Sequence, residues 1–559
     1  MYTLIFKVEN KDDVKVRAEK GDNILELALR SGVIVDSPCS GNGTCGKCRM
    51  RLISGAVDMN HSPRLSQEDY RENWRLACQS FVVGDAVLFV PAAASAFQND
   101  ICTADLSTPE ELARYEKAID ELFAEGIGCG CTETGLGIAV DIGTTTVTAA
   151  MMELATGKIV AKGSLGNGQI QYGADVINRI IQSSRPGGRE KLRHAILDET
   201  LVPIFRKMCE EAKADLKDIR RVVIAGNTTM EHLFVGADAE SIRLEPFQPE
   251  FLELAGKTAG ELGVPAASDA PVIFAPNVGS YVGGDITAGV LASRLWTVSS
   301  EEQTLFIDLG TNGELVLGNS EYMLCCACSA GPAFEGGDIS CGMRATNGAV
   351  DDVTIDEDTL APTLSVIGGG KPSGLCGSGL IAIISELFRC GVISAKGRFI
   401  RECPRTRYDE YGGASYVLAF ADESATGYDI ELDESDLDNF IRAKAAIFSA
   451  VRTMLKSLDM EPEDINHIIL AGGIGSGINI EKAISIGMLP KLPSEKYSFI
   501  GNSSLTGACA MLLSSEAEEK VFEIGRNMTY IELSTEAGYM DEFVAACFLP
   551  HTDARLFEE

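Results

Sequence analysis

Apolar and polar residues alternate at the start of the chain, in Thr3-Leu-Ile-Phe-Lys-Val and again in Val14-Lys-Val-Arg, with the polar Asn10-Lys-Asp-Asp between them. Period-two alternation around a polar turn predicts a β-hairpin. Ile24-Leu-Glu-Leu-Ala-Leu-Arg changes to a helical pattern, with Asp22 or Asn23 placed to cap its start and Gly32 to close it. Met50-Arg-Leu-Ile and Ala86-Val-Leu-Phe-Val read as further strands, so residues 1–92 are expected to form one small module. Pro91 and the Ala92-Ala-Ala-Ser-Ala run mark its boundary.

A helical pattern follows. Thr108 as N-cap, Pro109 at the first helical position and Glu111 three residues after the cap form a capping box. Leu112, Tyr115, Ile119 and Leu122 then fall on one face. Gly126-Ile-Gly-Cys-Gly-Cys ends the segment with a glycine-rich stretch that reads as flexible. Residues 93–134 are expected to be a helical linker, or a helix packed against another subunit. From residue 135 onward two segments repeat one pattern of apolar strand, Asp, Gly-Thr turn and returning strand. They are Gly137-Ile-Ala-Val-Asp141-Ile-Gly-Thr-Thr-Thr-Val-Thr-Ala and Leu305-Phe-Ile-Asp308-Leu-Gly-Thr-Asn-Gly-Glu-Leu-Val-Leu. Residues 135–559 are therefore expected to hold two similar lobes, the first at about 135–220 and the remainder at about 221–559.

Composition narrows the class. The 559 residues suffice for roughly three to four domains at about 150 each. Glycine is frequent, 57 residues, which predicts tight loops where backbone approaches a ligand. A net charge of −33 argues against a nucleic-acid partner, whose phosphates require a basic face. Seventeen cysteines point to a reducing compartment. The opening residues alternate like a strand rather than a leader, and no apolar run reaches the ~18 residues that span a bilayer. The expectation is a cytoplasmic protein with no membrane contact.

Four of the cysteines carry the strongest chemical signal. Cys39-Ser-Gly-Asn-Gly-Thr-Cys45-Gly-Lys-Cys48 places three thiols on one glycine-rich loop, and Cys78 follows within Arg75-Leu-Ala-Cys78-Gln. Four thiolates also suit tetrahedral zinc, but zinc ribbons pair two C-x2-C knuckles and only one is present. The pattern resembles that of [2Fe–2S] ferredoxins, with a first gap of five residues as in the adrenodoxin-like branch. That resemblance implies a β-grasp fold for residues 1–92. Gly41, Gly43 and Gly46 would let backbone amides approach the cluster sulfurs and tune its potential. Cys129 with Cys131, and Cys325 with Cys326 and Cys328, lack a second knuckle and read as buried thiols. His232, without a clustered partner among five histidines, reads as structural.

The repeated Asp turns carry the second signal. A tight Gly-Thr turn exposes backbone N–H groups that cradle phosphate oxygens, and an Asp at a strand end can orient Mg²⁺ through water. A third element is His467-Ile-Ile-Leu-Ala-Gly472-Gly-Ile-Gly475-Ser-Gly477-Ile, followed by the helical Ile480-Glu-Lys-Ala-Ile. A strand, glycine loop and helix also describe a dinucleotide site, but the G-x-G-x-x-G spacing is absent, as is any G-x-x-x-x-G-K-[ST] P-loop. Gly283-Gly-Asp285-Ile-Thr-Ala-Gly and Asn502-Ser-Ser-Leu-Thr-Gly507-Ala precede apolar helical stretches.

In this order the elements resemble the acetate and sugar kinase, heat-shock chaperone and actin superfamily (ASKHA), a duplicated RNase H-like fold with two lobes closing on ATP. The resemblance implies a phosphate-1 loop at Gly143, Thr144, Thr145 and Thr146, and a phosphate-2 loop at Gly310, Thr311 and Asn312. It implies an adenosine loop at Gly472, Gly473 and Gly475, two connecting helices, and Asp141, Asp308 and Asp285 as the carboxylates of Mg-ATP hydrolysis. A ferredoxin preceding such an ATPase is similar to the reductive activators of corrinoid-dependent methyltransferases. Ala225-Gly-Asn-Thr-Thr-Met-Glu-His-Leu, Ala330-Gly-Pro-Ala-Phe-Glu-Gly with Gly342-Met-Arg-Ala, and Gly374-Leu-Cys-Gly-Ser-Gly-Leu extend that similarity. The tail has a lone Cys547, unlike activators with a C-terminal four-iron cluster.

The overall expectation is a multidomain α+β and α/β chain: β-grasp [2Fe–2S] ferredoxin, helical linker, two-lobed ASKHA ATPase. What the resemblance implies is ATP-dependent transfer of one electron through Cys39, Cys45, Cys48 and Cys78 to a corrinoid protein, returning inactive Co(II) to Co(I). It further implies an upstream low-potential electron donor and a homodimer. Ser329 and the Gly331-Pro-Ala-Phe segment are candidates for the cobalt-facing or partner-facing surface. Two rivals share the ATP elements: a small-molecule kinase with a fused electron-transfer module, and a dehydratase-type activator, which holds a [4Fe–4S] cluster between subunits.

Overall fold

A computed structural model describes residues 1–9, 12–33, 35, 41, 43, 46–62, 64–65, 67–91, 109–124, 127, 134–173, 175–408, 412–473 and 477–558. The N-terminal hairpin forms as the alternation predicts. Tyr2–Val8 pairs antiparallel with Val14–Ala18, and its other edge pairs parallel with Ser80–Val90. Arg49–Met59 and Trp74–Leu76 complete a five-stranded sheet. Helix Ile24–Arg30 lies on one face and buries Ile24, Leu27 and Ala28 with Leu4, Phe6, Met50 and Leu88. Asn23 is its N-cap: the side chain accepts from the Leu25 and Glu26 amides. The same amide group donates to the Cys78 carbonyl at 2.8 Å, tying the helix start to the last cysteine. Two crossing strands are longer than the sequence pattern indicates, 11 residues each. Register shifts between Leu52 and Ser54, and between Gly55 and Val57, break the alternation that would have revealed their full length.

Helix Pro109–Ala124 packs within the chain. Tyr115, Ile119 and Leu122 are buried in one core with Leu291, Leu295, Leu512 and Leu513. Thr108, and the glycine-rich Cys129 and Cys131 segment, lie outside the described residues.

Two sheets with matching strand order follow. In the first, Leu136–Ile142, Thr146–Glu153 and Ile159–Gly166 form an antiparallel meander. Ile219–Gly226 then joins Leu136–Ile142 in parallel, and Pro271–Phe274 adds beyond it. The second repeats this with the meander Thr304–Leu309, Gly313–Gly318 and Met323–Cys328, then His467–Ala471 and Tyr497–Gly501 in parallel. The sequence places the first lobe at about 135–220. The sheet instead continues through Pro271–Phe274, because its parallel strands arrive only after helical crossovers. Each first strand alternates between two cores. Ile138, Val140 and Ile142 face helices on the outer side, while Ala139 faces inward. Likewise Leu305, Ile307 and Leu309 face outward and Phe306 inward.

Between the sheets, helices Gly284–Ser293 and Ser503–Leu513 cross. They approach closely because glycine stands at the contact. A Cβ on Gly507 would lie 2.0 Å from the Ala288 carbonyl oxygen, and one on Gly289 would lie 2.9 Å from Ser503 Oγ. The second half also carries two three-stranded sheets and the long helix Glu434–Ser457. Lys444 on that helix is buried and donates to the carbonyls of Phe548 and Pro550, fastening the C-terminal segment. Among the described residues no helix is long and apolar enough to cross a membrane.

Candidate functional site

Cys48 stands immediately before strand Arg49–Met59, and Cys78 lies in the turn Ala77–Gln79. Their Sγ atoms are 3.3 Å apart and buried. That is well beyond the ~2.05 Å of a disulfide, and close enough for two thiolates to share one metal ion. Cys39 and Cys45 lie outside the described residues. Gly41, Gly43 and Gly46 have φ of 87°, 76° and 71°, the left-handed region that glycine enters without steric cost. A Cβ on Gly43 would meet Gln79 Nε2 at 2.8 Å. Gln79 Nε2 donates to the Gly41 carbonyl at 3.1 Å and to Cys78 Sγ at 3.7 Å. Soft thiolate donors, glycines at positions 41, 43 and 46 of the loop and a hydrogen bond to a ligand sulfur fit an iron–sulfur cluster. Gln79, directly after the last cysteine, was visible in the sequence but carried no signal of its own.

The second site lies where the two duplicated halves meet. Thr145 Oγ1 and Thr311 Oγ1 are 2.9 Å apart, so the two Gly-Thr turns face each other. Thr311 donates to Glu335 Oε2 at 2.9 Å. A hydroxyl has one proton, so Thr145 donates to Thr311. The first turn is held from behind: Gly143 O accepts from Asn167 Nδ2 at 2.9 Å, Thr144 Oγ1 from Asn227 Nδ2 at 3.0 Å, and Thr144 O from Arg179 Nη2 at 2.5 Å. Thr146 opens the returning strand, and a Cβ on Gly143 would lie 2.5 Å from its carbonyl. In the second turn the Gly310 amide donates to the Asn312 carbonyl at 3.0 Å. Gly472, at φ 94°, abuts this turn: a Cβ there would lie 2.4 Å from Leu309 O and 2.8 Å from Asp308 Oδ1. Gly473 is exposed with open space above its Cα, and Gly475 lies outside the described residues.

Carboxylates converge on this point. Asp141 accepts from Asn502 Nδ2 at 2.8 Å and from Ser504 Oγ at 2.9 Å, both at the start of the second crossing helix. Burial, then the charges of Asp141 and Glu335, push the Asp308 carboxyl up to about 7. Burial, then Asp141 and Asp308, raise Asp285. Glu314 is raised well above the usual range by burial, Asp285 and Asp308. Stacked like charges of this kind are relieved by a cation. Among the described residues no three His, Cys, Asp or Glu side chains are arranged to chelate a metal directly.

Several supporting residues escaped the sequence reading. Arg179 is fully buried, and burial lowers its guanidinium to about 9 against the pull of Asp175 and Glu335. Glu231 is buried, accepts from Asn277 Nδ2 at 2.9 Å, and its pKa is raised well above the usual range by desolvation. Asn277 Oδ1 in turn accepts from the Gly284 amide at 3.2 Å, fixing the turn that presents Asp285. Glu231 and Asn227 belong to the Ala225-Gly-Asn-Thr-Thr-Met-Glu-His segment, whose density of polar residues in an apolar stretch was the available signal. Its His232 is buried, stacked on Phe251 at 4.0 Å and bonded to the Thr228 carbonyl, a structural arrangement. Cys325, Cys326 and Cys328 are buried in strand Met323–Cys328. In the Gly331-Pro-Ala-Phe segment, Ala333 and Phe334 are buried, with Phe334 against Phe440.

Comparison with known proteins joins the two sites. Residues 7–83 match the 2Fe-2S iron-sulfur cluster binding domain, residues 136–297 the RACo middle region, and residues 302–559 the C-terminal domain of RACo, the ASKHA domain. The corrinoid activation enzyme RamQ of Eubacterium limosum is 34% identical over 417 residues, covering 73% of this chain and 69% of that protein. The [Co(II) methylated amine-specific corrinoid protein] reductase of Methanosarcina barkeri is 24% identical over 422 residues, covering 70% and 73%. A solved reductive activator for corrinoid, iron-sulfur protein superposes over 100% of both chains with a TM-score of 0.71 and 38% identity. With a ferredoxin-type domain at one end, a duplicated ASKHA fold at the other and this similarity along its length, the chain belongs to the family of reductive activators of corrinoid proteins.

Proposed function

We propose that the protein uses ATP binding and hydrolysis to drive one electron from a [2Fe–2S] cluster onto the Co(II) of a corrinoid protein, producing Co(I). The observation that carries this reading is the 2.9 Å contact of Thr145 with Thr311, two phosphate-type turns from separate halves meeting in a chain that also pairs Cys48 with Cys78. The cluster, when bound by Cys39, Cys45, Cys48 and Cys78, supplies one-electron transfer at low potential. The protein's own groups do the rest. Gly143, Thr144, Thr145 and Thr146 on one side and Gly310, Thr311 and Asn312 on the other hold the phosphates through backbone N–H and hydroxyl groups. Asn502 and Ser504 orient Asp141. Asp308, near neutral pKa, is poised to orient or deprotonate the attacking water. Asp285, presented by the turn that Glu231 and Asn277 fix, would complete the carboxylate set for Mg²⁺. The glycines at 472, 473 and 475 would take the adenosine.

Reduction of Co(II) to Co(I) is uphill for a ferredoxin, and a nucleotide can shift such a step only by binding one conformation better than another. The two crossing helices, packed glycine against backbone between the sheets, are the element whose angle lobe closure would change. The test is anaerobic spectroscopy. Protein, corrinoid partner in the Co(II) state, Mg-ATP and an electron donor should yield Co(I), and omission of ATP should leave Co(II). Phosphate transfer to a small acceptor in place of release to water would favour a kinase.

A further inference from the structure

The ferredoxin module rests on the C-terminal half through two cations beside its cysteine loop. Lys47, between Cys45 and Cys48, donates to the Gly336 carbonyl at 2.7 Å and the Gly342 carbonyl at 3.3 Å. Arg64 lies 3.4 Å from Asp433 Oδ2 and 3.8 Å from Asp436 Oδ1. The Arg64 side chain is only 10% exposed and that of Asp436 is fully buried, while that of Asp433 is 41% exposed, so the contact is desolvated on its Asp436 side.

The receiving face is held by contacts of its own. Asp433 caps helix Glu434–Ser457 in a reciprocal capping box with Asp436. Asp436 also accepts from the Ser340 amide and hydroxyl. Gly336 takes φ 78° and closes against Met343, where a Cβ would lie 2.5 Å from the Met343 amide nitrogen. Asn439 Nδ2 donates to the Asp338 carbonyl at 2.6 Å, and Met343 N to the Leu375 carbonyl at 2.8 Å. Residues 331–343 are thereby held with two carbonyls turned to Lys47.

We propose that Gly336, Gly342, Asp433 and Asp436 form the seat of the ferredoxin module, and that seating lowers the reduction potential of its cluster, so that the seated form is the stronger electron donor. The proposal rests on the four cysteines holding that cluster. The reduced cluster carries one more negative charge than the oxidised one. Away from the seat, the charges of Lys47 and Arg64 favour that extra electron. Seated, Arg64 lies against the carboxylates of Asp433 and Asp436, whose negative charge opposes the extra electron, while Lys47 turns to carbonyl dipoles. Linkage makes the effect reciprocal: gaining an electron weakens seating by the same factor. The module then takes one electron from a low-potential donor protein while free, and seating pushes that electron on to Co(II).

The test is a potentiometric titration of the full-length, cluster-loaded protein, followed by visible absorbance, on wild type, Arg64→Gln and Asp433→Asn. Asn is itself a good N-cap, so the second variant keeps its helix, and Gln keeps the Cβ and Cγ of Arg64 that pack by Gly46. Both variants are expected to raise the potential and to increase hydrogen exchange over residues 331–343. Arg64→Gln decides the matter by sign, because loss of a nearby cation without unseating would lower the potential. A lowered or unchanged potential in Arg64→Gln, or no change in Asp433→Asn, overturns the proposal. Wild-type protein without iron or visible absorbance overturns the cluster assignment instead, and the seat's redox role with it.

Discussion

At the scale of single residues, the functional groups are those whose neighbours are hardest to replace. Asp308 sits against Asp141 and Glu335, which with burial raise its carboxyl to about 7. Asp308→Asn keeps the shape and removes the carboxylate. Steady-state ATP hydrolysis is expected to fall by ~10²-fold or more, comparable to losing a positioned transition-state group, and unaltered turnover would reject the assignment. Cys78→Ser is expected to abolish the visible cluster absorbance while leaving thermal unfolding of the two duplicated halves in place. Asn23 joins the two regimes, capping helix Ile24–Arg30 and holding the Cys78 carbonyl. Asn23→Ala should cost about 1 kcal/mol from the cap alone, read by denaturant unfolding of the N-terminal domain, and should hasten loss of the cluster on dilution.

At the scale of elements, what could be read in the sequence was what repeats or has fixed spacing. The Asp turns at 141 and 308 announced two equivalent strands, and the sheets repeat one strand order around them. The hairpin, the first helix with its Asn23 cap and the helix at Pro109–Ala124 were legible, the last from its apolar periodicity. The limits of the first sheet were not, because Ile219–Gly226 and Pro271–Phe274 join it only after helical crossovers and each reads alone as a short apolar run. The supports of the first phosphate-type turn were not either. Arg179 and Asn167 act through contacts that only the fold brings together. The crossing helices show both sides of this. Their apolar sequences give no angle, yet Gly507 marks the point of closest approach. In an isolated helix Gly507→Ala would stabilise by up to ~1 kcal/mol. Here the added methyl meets the Ala288 carbonyl, and the substitution should instead destabilise by about 1–3 kcal/mol. A raised melting temperature would refute close packing at the crossing.

At the scale of the whole molecule, the chain gathers a share of its net charge of −33 where its halves meet. The native pKa of Asp308 is about 7, and those of Asp285 and Glu314 are also raised by burial and by one another. Carboxyl groups raised above their unfolded values favour the folded state fully below about pH 4. They lose that contribution as pH climbs through their native pKa values. Lys444 works in the opposite sense, since burial lowers its ammonium to about 7 and its contribution is lost as pH falls through that value. A bare melting curve against pH therefore mixes two trends. The difference between melting temperatures with and without Mg-ATP separates them, because Lys444 lies with the C-terminal segment, away from the phosphate-type turns, and cancels. A divalent cation favours the ionised carboxylates, so binding must expel protons. The stabilisation by Mg-ATP should therefore be larger at pH 8 than at pH 6. Calorimetry in buffers of different ionisation enthalpy should register protons released on binding, and Asp308→Asn should reduce that number. Equal stabilisation at both pH values, or proton uptake, would remove these carboxylates from the metal–nucleotide site and leave the meeting of the two Thr turns without its counter-charge.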